Sequence, residues 1–304
     1  MSLWKRSDAG EAAIALLPPT SMLEEGSMRY TTLLATAALA LALPFILAHC
    51  ASVQEPLTYD ANSVGKPNSG APMELWLPSG TGPFPAVVVM HGCAGIRDHH
   101  RGWAGRLTEW GYAAALLDSF HPRNANSTCY NKMSNPRPSL LAQDAFNAAI
   151  YLRTLPTIQP DHIGIIGFSR GGSTALFTAL ASGAPTDRGG RPFQAVVAYY
   201  PGCLLKVSGE PEKILGEPAS DVLILIGDND GWTPAPDCLK YVELQSGFPH
   251  APTIKVYPGA VHDFDAAYEL YFSQQGQMQG AHPEARADSY VMTKAFFDAR
   301  LKPK

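Results

Sequence analysis

Gly167-Phe168-Ser169-Arg170-Gly171 stands between a short apolar run, His162 to Ile166, and a run with helical character, Gly172 to Leu180. A serine at a strand-to-helix turn, with glycine two residues to either side, is the pattern of a nucleophile elbow. Such a turn strains the serine backbone and brings neighbouring chain close on both sides, so the flanking positions tolerate little beyond glycine. It lifts the Ser169 hydroxyl above the sheet. It also aims the backbone NH of Arg170, at the start of the helix, toward any oxyanion formed there. A glycine-rich turn of an ordinary α/β protein gives the same five letters, so the rest of the chain has to supply the partners.

Upstream, Met73 to Leu77 alternates apolar and polar residues as an outer strand does, and Pro85 to Met90 is a continuous apolar run too short for a helix. That run suits a strand buried on both faces of a mostly parallel sheet. His91-Gly92-Cys93-Ala94-Gly95 follows it directly. A His-Gly pair at the end of a strand upstream of an elbow is where a second oxyanion donor belongs, and by position that donor is the backbone NH of Cys93. His91 itself reads as a buried histidine that fixes the loop. His99 to Trp110 has helical spacing, and adjacent His99 and His100 read as exposed, since no partner recurs at metal-ligand spacing. Tyr112 to Leu117 is the next buried strand.

Asp118 to Pro138 is a long polar segment beside the elbow. In it Arg123 is a candidate substrate-binding residue and Arg137 a weaker one, although an exposed arginine needs no ligand. Asn126-Ser127-Thr128 matches a glycosylation sequon. Ser139 to Leu155 reads as a helix, with Asp144 a structural charge, and Gln194 to Tyr199 as a buried strand. Asp221 to Ile226 is another such strand and opens into Gly227-Asp228-Asn229-Asp230-Gly231-Trp232-Thr233-Pro234. A carboxylate is required here to orient a histidine. Asp228 and Asp230 compete, and the G-x-x-D-x-x-x-P spacing favours Asp230, leaving Asp228 to tie down the loop. After the last strand, Thr253 to Tyr257, comes His262, which completes the order Ser169, Asp230, His262. Asp288 to Arg300 reads as a terminal helix.

The chain has 304 residues, 46% hydrophobic and 16% charged, with a formal net charge of -4. That suffices for one sizeable core and gives no basic stripe, so nucleic acid is not an expected partner. From Met28, Arg29 precedes an apolar run, Thr31 to Ala48, that ends in Ala48-His49-Cys50-Ala51, as in a secretory signal peptide. The expected organisation is therefore an N-terminal extension and signal over 1–51 with the true start at Met28, a linker over 52–70 with a short edge strand at Leu57 to Tyr59, and one domain over 71–304. Export to the periplasm or the medium is expected, with no stable membrane insertion after cleavage. A transmembrane anchor or a lipoprotein is the alternative, the second weakened by His49 before Cys50. Four cysteines then remain, Cys93, Cys129, Cys203 and Cys238, with three possible connectivities in an oxidising compartment. Pairing 93 with 129 and 203 with 238 is favoured, because those loops belong at one end of the sheet.

Taken together, HGCAG at 91–95, LLDSFHPR at 116–123, GFSRGG at 167–172, YPGC at 200–203, LIGDNDGWTP at 225–234 and VYPGAVHDF at 256–264 resemble the dienelactone hydrolase family of α/β-hydrolases. The resemblance spans roughly residues 71 to 302. It implies an α/β-hydrolase fold, a doubly wound, mostly parallel sheet with helices on both faces, and hydrolysis of carboxylic esters or lactones with no cofactor and no metal. Carried over by position, Ser169 is the nucleophile, Asp230 the acid and His262 the base. The founding members use cysteine at the elbow. A serine leans more on its histidine than a thiol does, which points to general esterase chemistry. A peptidase of the prolyl-oligopeptidase kind and a non-catalytic binding protein of the same fold are the alternative readings.

Overall fold

The apolar runs align edge to edge in one sheet, because buried strands satisfy their backbone groups only through one another. The structure is a computed structural model that describes residues 52–53, 71–129, 136–186, 189–203, 205–207, 210–212 and 216–302. In chain order the elements are β1 (Ser52–Val53), β2 (Met73–Leu77), β3 (Phe84–Met90), α1 (Asp98–Glu109), β4 (Ala113–Leu117), α2 (Pro138–Leu152), β5 (Ile158–Phe168), α3 (Arg170–Thr178) and β6 (Ala195–Tyr199). They continue with β7 (Leu205–Val207), β8 (Glu210–Glu212), β9 (Asp221–Gly227), α4 (Ala235–Gln245), β10 (Thr253–Tyr257), β11 (Tyr271–Phe272), β12 (Met278–Gln279) and α5 (Pro283–Leu301).

The main sheet runs β1-β2-β4-β3-β5-β6-β9-β10. From β4 to β10 every pairing is parallel, and β2 and β1 add antiparallel at one edge. β3, β4 and β6 are buried almost throughout, as strands covered on both faces must be. Side-chain parity along β5 separates the layers. Gly164 faces α5, where a Cβ would meet Leu301 and Phe297, and Phe168 packs on Trp103 of α1. Gly167, on the opposite face, abuts α3. The fold is the doubly wound α/β-hydrolase sheet that the motifs implied.

Several boundaries differ from the sequence reading. Ser52–Val53, assigned there to a linker, pairs with Trp76 and Leu77. The strand expected at 57–59 and the extension over 1–51 lie outside the described residues. The terminal helix starts at Pro283 rather than Asp288, because Pro283 suits the first helical position and the His282 ring accepts from the Ala285 N–H. The two disulfides join Cys93 to Cys129 and Cys203 to Cys238, the favoured pairing. Among the described residues no helix is long and apolar enough to cross a membrane.

The elbow accounts for its glycines sterically. A Cβ on Gly167 would lie 2.0 Å from the Gly171 carbonyl oxygen, and one on Gly171 would lie 2.2 Å from that of Met90. Neither neighbour is a side chain that can move aside. Gly171→Ala is therefore expected to cost about 3 kcal/mol or more, or to prevent folding. Gly102→Ala in α1, where a Cβ meets nothing within 4 Å, is expected to be neutral or to gain up to about 1 kcal/mol. Urea unfolding of the two variants checks this, and equal stability would refute the steric account.

Candidate active site

Cys93, Ser169, Arg170, Asp230 and His262 follow the carboxyl ends of parallel strands, where open α/β sheets place their ligands. Ser169 follows β5 with φ 53° and ψ -112°, and its N–H donates to the Tyr199 carbonyl at 3.0 Å. Only the tight packing of Gly167 and Gly171 holds a non-glycine residue there. Among the described residues four non-glycine positions have positive φ: Asn124, Ser169, Tyr200 and Asp263. Three of these lie in or against the site, as stored backbone strain commonly does.

Ser169 Oγ lies 2.9 Å from His262 Nε2, and His262 Nδ1 lies 2.7 Å from Asp230 Oδ2. The other carboxylate oxygen of Asp230 accepts from the backbone N–H groups of Trp232 (2.8 Å) and Thr233 (2.9 Å). These bonds hold the carboxylate toward the imidazole, so Nδ1 carries the proton and Nε2 is left to accept the serine hydroxyl proton. Asp230 and His262 are both about 4% exposed. Burial disfavours the imidazolium, but the charge and hydrogen bond of Asp230, joined by Asp263 and Asp265, outweigh it and raise the His262 pKa above its ordinary value. Asp228 takes the lesser role anticipated for it, its carboxylate accepting from the Gly259 N–H at 2.6 Å. Gly227 matters as well, since a Cβ there would lie 2.1 Å from the Ala260 carbonyl and hold the acid and histidine loops apart.

The serine and histidine open into a pocket of about 620 Å³ whose walls include Gly92, Cys93, His99, Ser127, Trp232 and Phe272. Cys93 is held from three sides: by its disulfide to Cys129, by the Thr128 N–H donating to its carbonyl at 2.7 Å, and by Gly95 N donating to the Gly92 carbonyl at 3.2 Å. Arg170 is the first residue of α3, directly after the serine.

Residues 74–301 match the profile of the dienelactone hydrolase family. The chain belongs to that family. Membership places it among carboxylic-ester hydrolases. A Bradyrhizobium sp. protein named "Probable 2-oxo-3-(5-oxofuran-2-ylidene)propanoate lactonase" is 25% identical over 223 residues, which covers 69% of this chain and 85% of the relative. Among solved structures, a dienelactone hydrolase-like promiscuous phosphotriesterase from metagenomic libraries superposes with a TM-score of 0.59 at 21% identity, covering 76% of this chain and 93% of the other. A propionate-bound esterase of Thermogutta terrifontis gives 0.59 at 16% identity, covering 84% and 96%. At such identities the two structures speak for the fold alone.

For this dienelactone hydrolase family member, two expectations fail and one feature was missed. Arg123 does not reach the pocket. Its guanidinium is held by Asp144, at 2.7 and 3.1 Å, and by the Ser119 carbonyl at 2.6 Å, because a buried carboxylate demands a partner. His99 and His100 are not exposed. His100 is buried with Nδ1 accepting from the Arg97 N–H at 3.0 Å, and burial lowers its pKa well below the ordinary value. His99 Nε2 donates at 2.7 Å to Asp265, a fully enclosed carboxylate that also accepts from Trp103 Nε1 (2.7 Å) and Tyr200 OH (2.8 Å). The Tyr200 ring lies 4.6 Å from that of His262, so the network braces His262. Nothing local in the sequence marks Asp265, whose three partners are 65 to 166 residues away in the chain. His91 matches its reading, buried and donating through Nδ1 to the Gly92 carbonyl at 2.8 Å.

Burial raises the Asp265 pKa, but His99, Trp103 and Tyr200 outweigh it, so the carboxyl titrates below its ordinary range. Burial lowers the His99 pKa, and Asp265 with Asp263 outweighs that in turn, so the imidazole titrates above its ordinary range. The depressed acid contributes stability above pH about 4, and the raised base contributes stability that is complete below pH about 6.5 and lost as pH rises through its folded value. Asp265→Ala should therefore cost about 3 kcal/mol or more near pH 5 to 6 and less as pH rises through the His99 titration. Urea unfolding across that range checks this, and a cost that grows with pH would contradict it.

Proposed function

We propose that this chain is a serine carboxylic-ester or lactone hydrolase acting through Ser169, His262 and Asp230. The observation that carries the reading is the unbroken run of hydrogen bonds from Ser169 Oγ through His262 to Asp230, opening into a pocket. As Ser169 Oγ attacks the carbonyl carbon, its proton passes to His262 Nε2 and the carbonyl π electrons move to oxygen. The N–H groups of Cys93 and Arg170 hold that oxyanion. Collapse breaks the carbon–oxygen bond, and the departing alkoxide takes the proton from His262. In a lactone the alcohol stays tethered to the acyl group. Water then gives a proton to His262 and its hydroxyl to the acyl carbon, and Ser169 regains its proton as the acid leaves. Membership of the dienelactone hydrolase family and a relative named as a probable lactonase support the substrate class.

His262 must be neutral to accept the proton. Because its pKa is raised, kcat/KM for p-nitrophenyl acetate should climb with pH and inflect above about 6.5. Ser169→Ala should lower kcat by roughly four orders of magnitude or more with an unchanged thermal midpoint. Full turnover in that variant would overturn the reading.

The same reading has the protein exported, on the strength of the apolar Thr31–Ala48 run after Arg29 and of two disulfides that persist in oxidising compartments. Fractionation with N-terminal peptide mapping should find a mature chain outside the cytoplasm that lacks the Thr31–Ala48 run. An intact N-terminus on a cytoplasmic chain would refute export.

A further inference from the structure

The exposed large hydrophobic side chains of the described surface are densest in sequence at one place. Tyr268, Leu270, Tyr271 and Phe272 are four of the nine exposed ones and fall within five consecutive positions, Phe272 being 68% exposed. They belong to the β11–β12 hairpin and the segment leading into it, and Tyr268, Tyr271 and Phe272 line the same pocket as Ser169 and His262. The apolar surface is thus continuous with the reactive centre.

The hairpin is fixed to that centre. The Gly280 N–H donates to the His262 carbonyl at 2.9 Å, and Gln279 bridges to His262 along the backbone. Tyr268 OH donates to the Asp263 carboxylate at 2.5 Å, its carbonyl accepts from the Ala281 N–H at 2.9 Å, and the Tyr268 and Tyr271 rings lie 5.6 Å apart. The turn closes through Ser273 and Gln277, with Gly276 at φ +73°. A rigid, partly aromatic ledge offers contact area at little conformational cost.

Charge narrows the occupant. From Tyr268 to Ala281 the chain reads YELYFSQQGQMQGA, whose only ionisable groups are the Glu269 carboxylate and the Tyr268 and Tyr271 phenols. An anionic substituent would meet the Glu269 carboxylate and no cation on this ledge, Arg97 being the one arginine among the pocket walls and lying outside the hairpin, whereas an alkyl chain or aryl ring would shed water against Tyr271 and Phe272. From these observations we infer that the hairpin is an outer subsite for an uncharged alkyl or aryl group of the ester, so that the enzyme prefers apolar esters larger than acetates. This deepens the hydrolase reading and rests on it.

The test compares kcat/KM of the full chain and its Phe272→Ala and Phe272→Leu variants on p-nitrophenyl acetate, p-nitrophenyl octanoate, ethyl acetate and octyl acetate. The octanoate places the chain on the acyl side and octyl acetate on the alcohol side, so the two identify which half of the ester the ledge holds. At least one of the two eight-carbon esters should be preferred by the parent enzyme over its two-carbon counterpart with the same kind of leaving group, p-nitrophenyl octanoate over p-nitrophenyl acetate or octyl acetate over ethyl acetate. Phe272→Ala should lose about tenfold more on that ester than on p-nitrophenyl acetate, chiefly in KM, and Phe272→Leu should keep most of it. Equal losses on long and short esters, or no chain-length preference in the parent, would overturn the subsite while leaving Ser169 hydrolysis standing. Calorimetric binding of octyl acetate to Ser169→Ala, weakened by adding Phe272→Ala, would support the subsite even if Ser169 proved not to be the nucleophile. A parent dimer in sedimentation velocity that Phe272→Ala splits would show that a second copy covers the ledge, and would overturn the proposal.

Discussion

Everything at the site depends on backbone packed against backbone at the end of β5. With hypothetical Cβ atoms 2.0 Å and 2.2 Å from carbonyl oxygens, Gly167 and Gly171 have no alternative, and the chain between them must turn sharply. Ser169 absorbs that turn at φ 53°, a conformation that local preference alone would not choose. The cost is met by the sheet, whose buried strands hold both sides of the turn in place. The hydroxyl is thereby presented above the strand ends, and the first turn of α3 starts at the next residue.

A second level of organisation lies in two histidine–carboxylate pairs that share one loop. His262 with Asp230 and His99 with Asp265 sit on opposite sides of Tyr200, which packs on the His262 ring and donates its hydroxyl to Asp265. Both imidazoles titrate above their ordinary value for the same reason, an adjacent carboxylate outweighing burial. They differ in what lies at the far nitrogen. Of the two, His262 reaches Ser169, so in the proposed hydrolysis that pair would carry the proton. The Asp265 pair ties α1 to the His262 loop, since Trp103 and His99 both belong to that helix.

Much of this was legible before any coordinates. Continuous apolar runs bounded by turns locate the buried strands, because strands covered on both faces need nothing else. Ser169 and Asp230 could be named because each follows such a strand, and His262 because it follows the last strand, the alternating edge strand β10. The choice between Asp228 and Asp230 followed from spacing, and the hydrogen bonds agree with it. What escaped is tertiary in origin. Asp265 looks like one more acid after a histidine, and only the convergence of α1, β6 and the His262 loop reveals its partners. His99 and His100 looked exposed because helical position alone does not say which face a neighbouring element covers. Arg123 was misplaced for a related reason, since its partner Asp144 lies 21 residues on, in a different element. The short hairpin β11–β12 has strands of two residues around a glutamine-rich turn, too brief for alternation to register.

The most direct test is covalent. A fluorophosphonate added to the purified chain should give a single adduct, seen by intact mass and mapped by peptide sequencing to Ser169, because only a hydroxyl backed by His262 and Asp230 attacks such a phosphorus centre readily. The adduct should form faster as pH rises through the His262 titration. A folded chain that takes no label, or takes it at another residue, would contradict the assignment of Ser169 as the nucleophile.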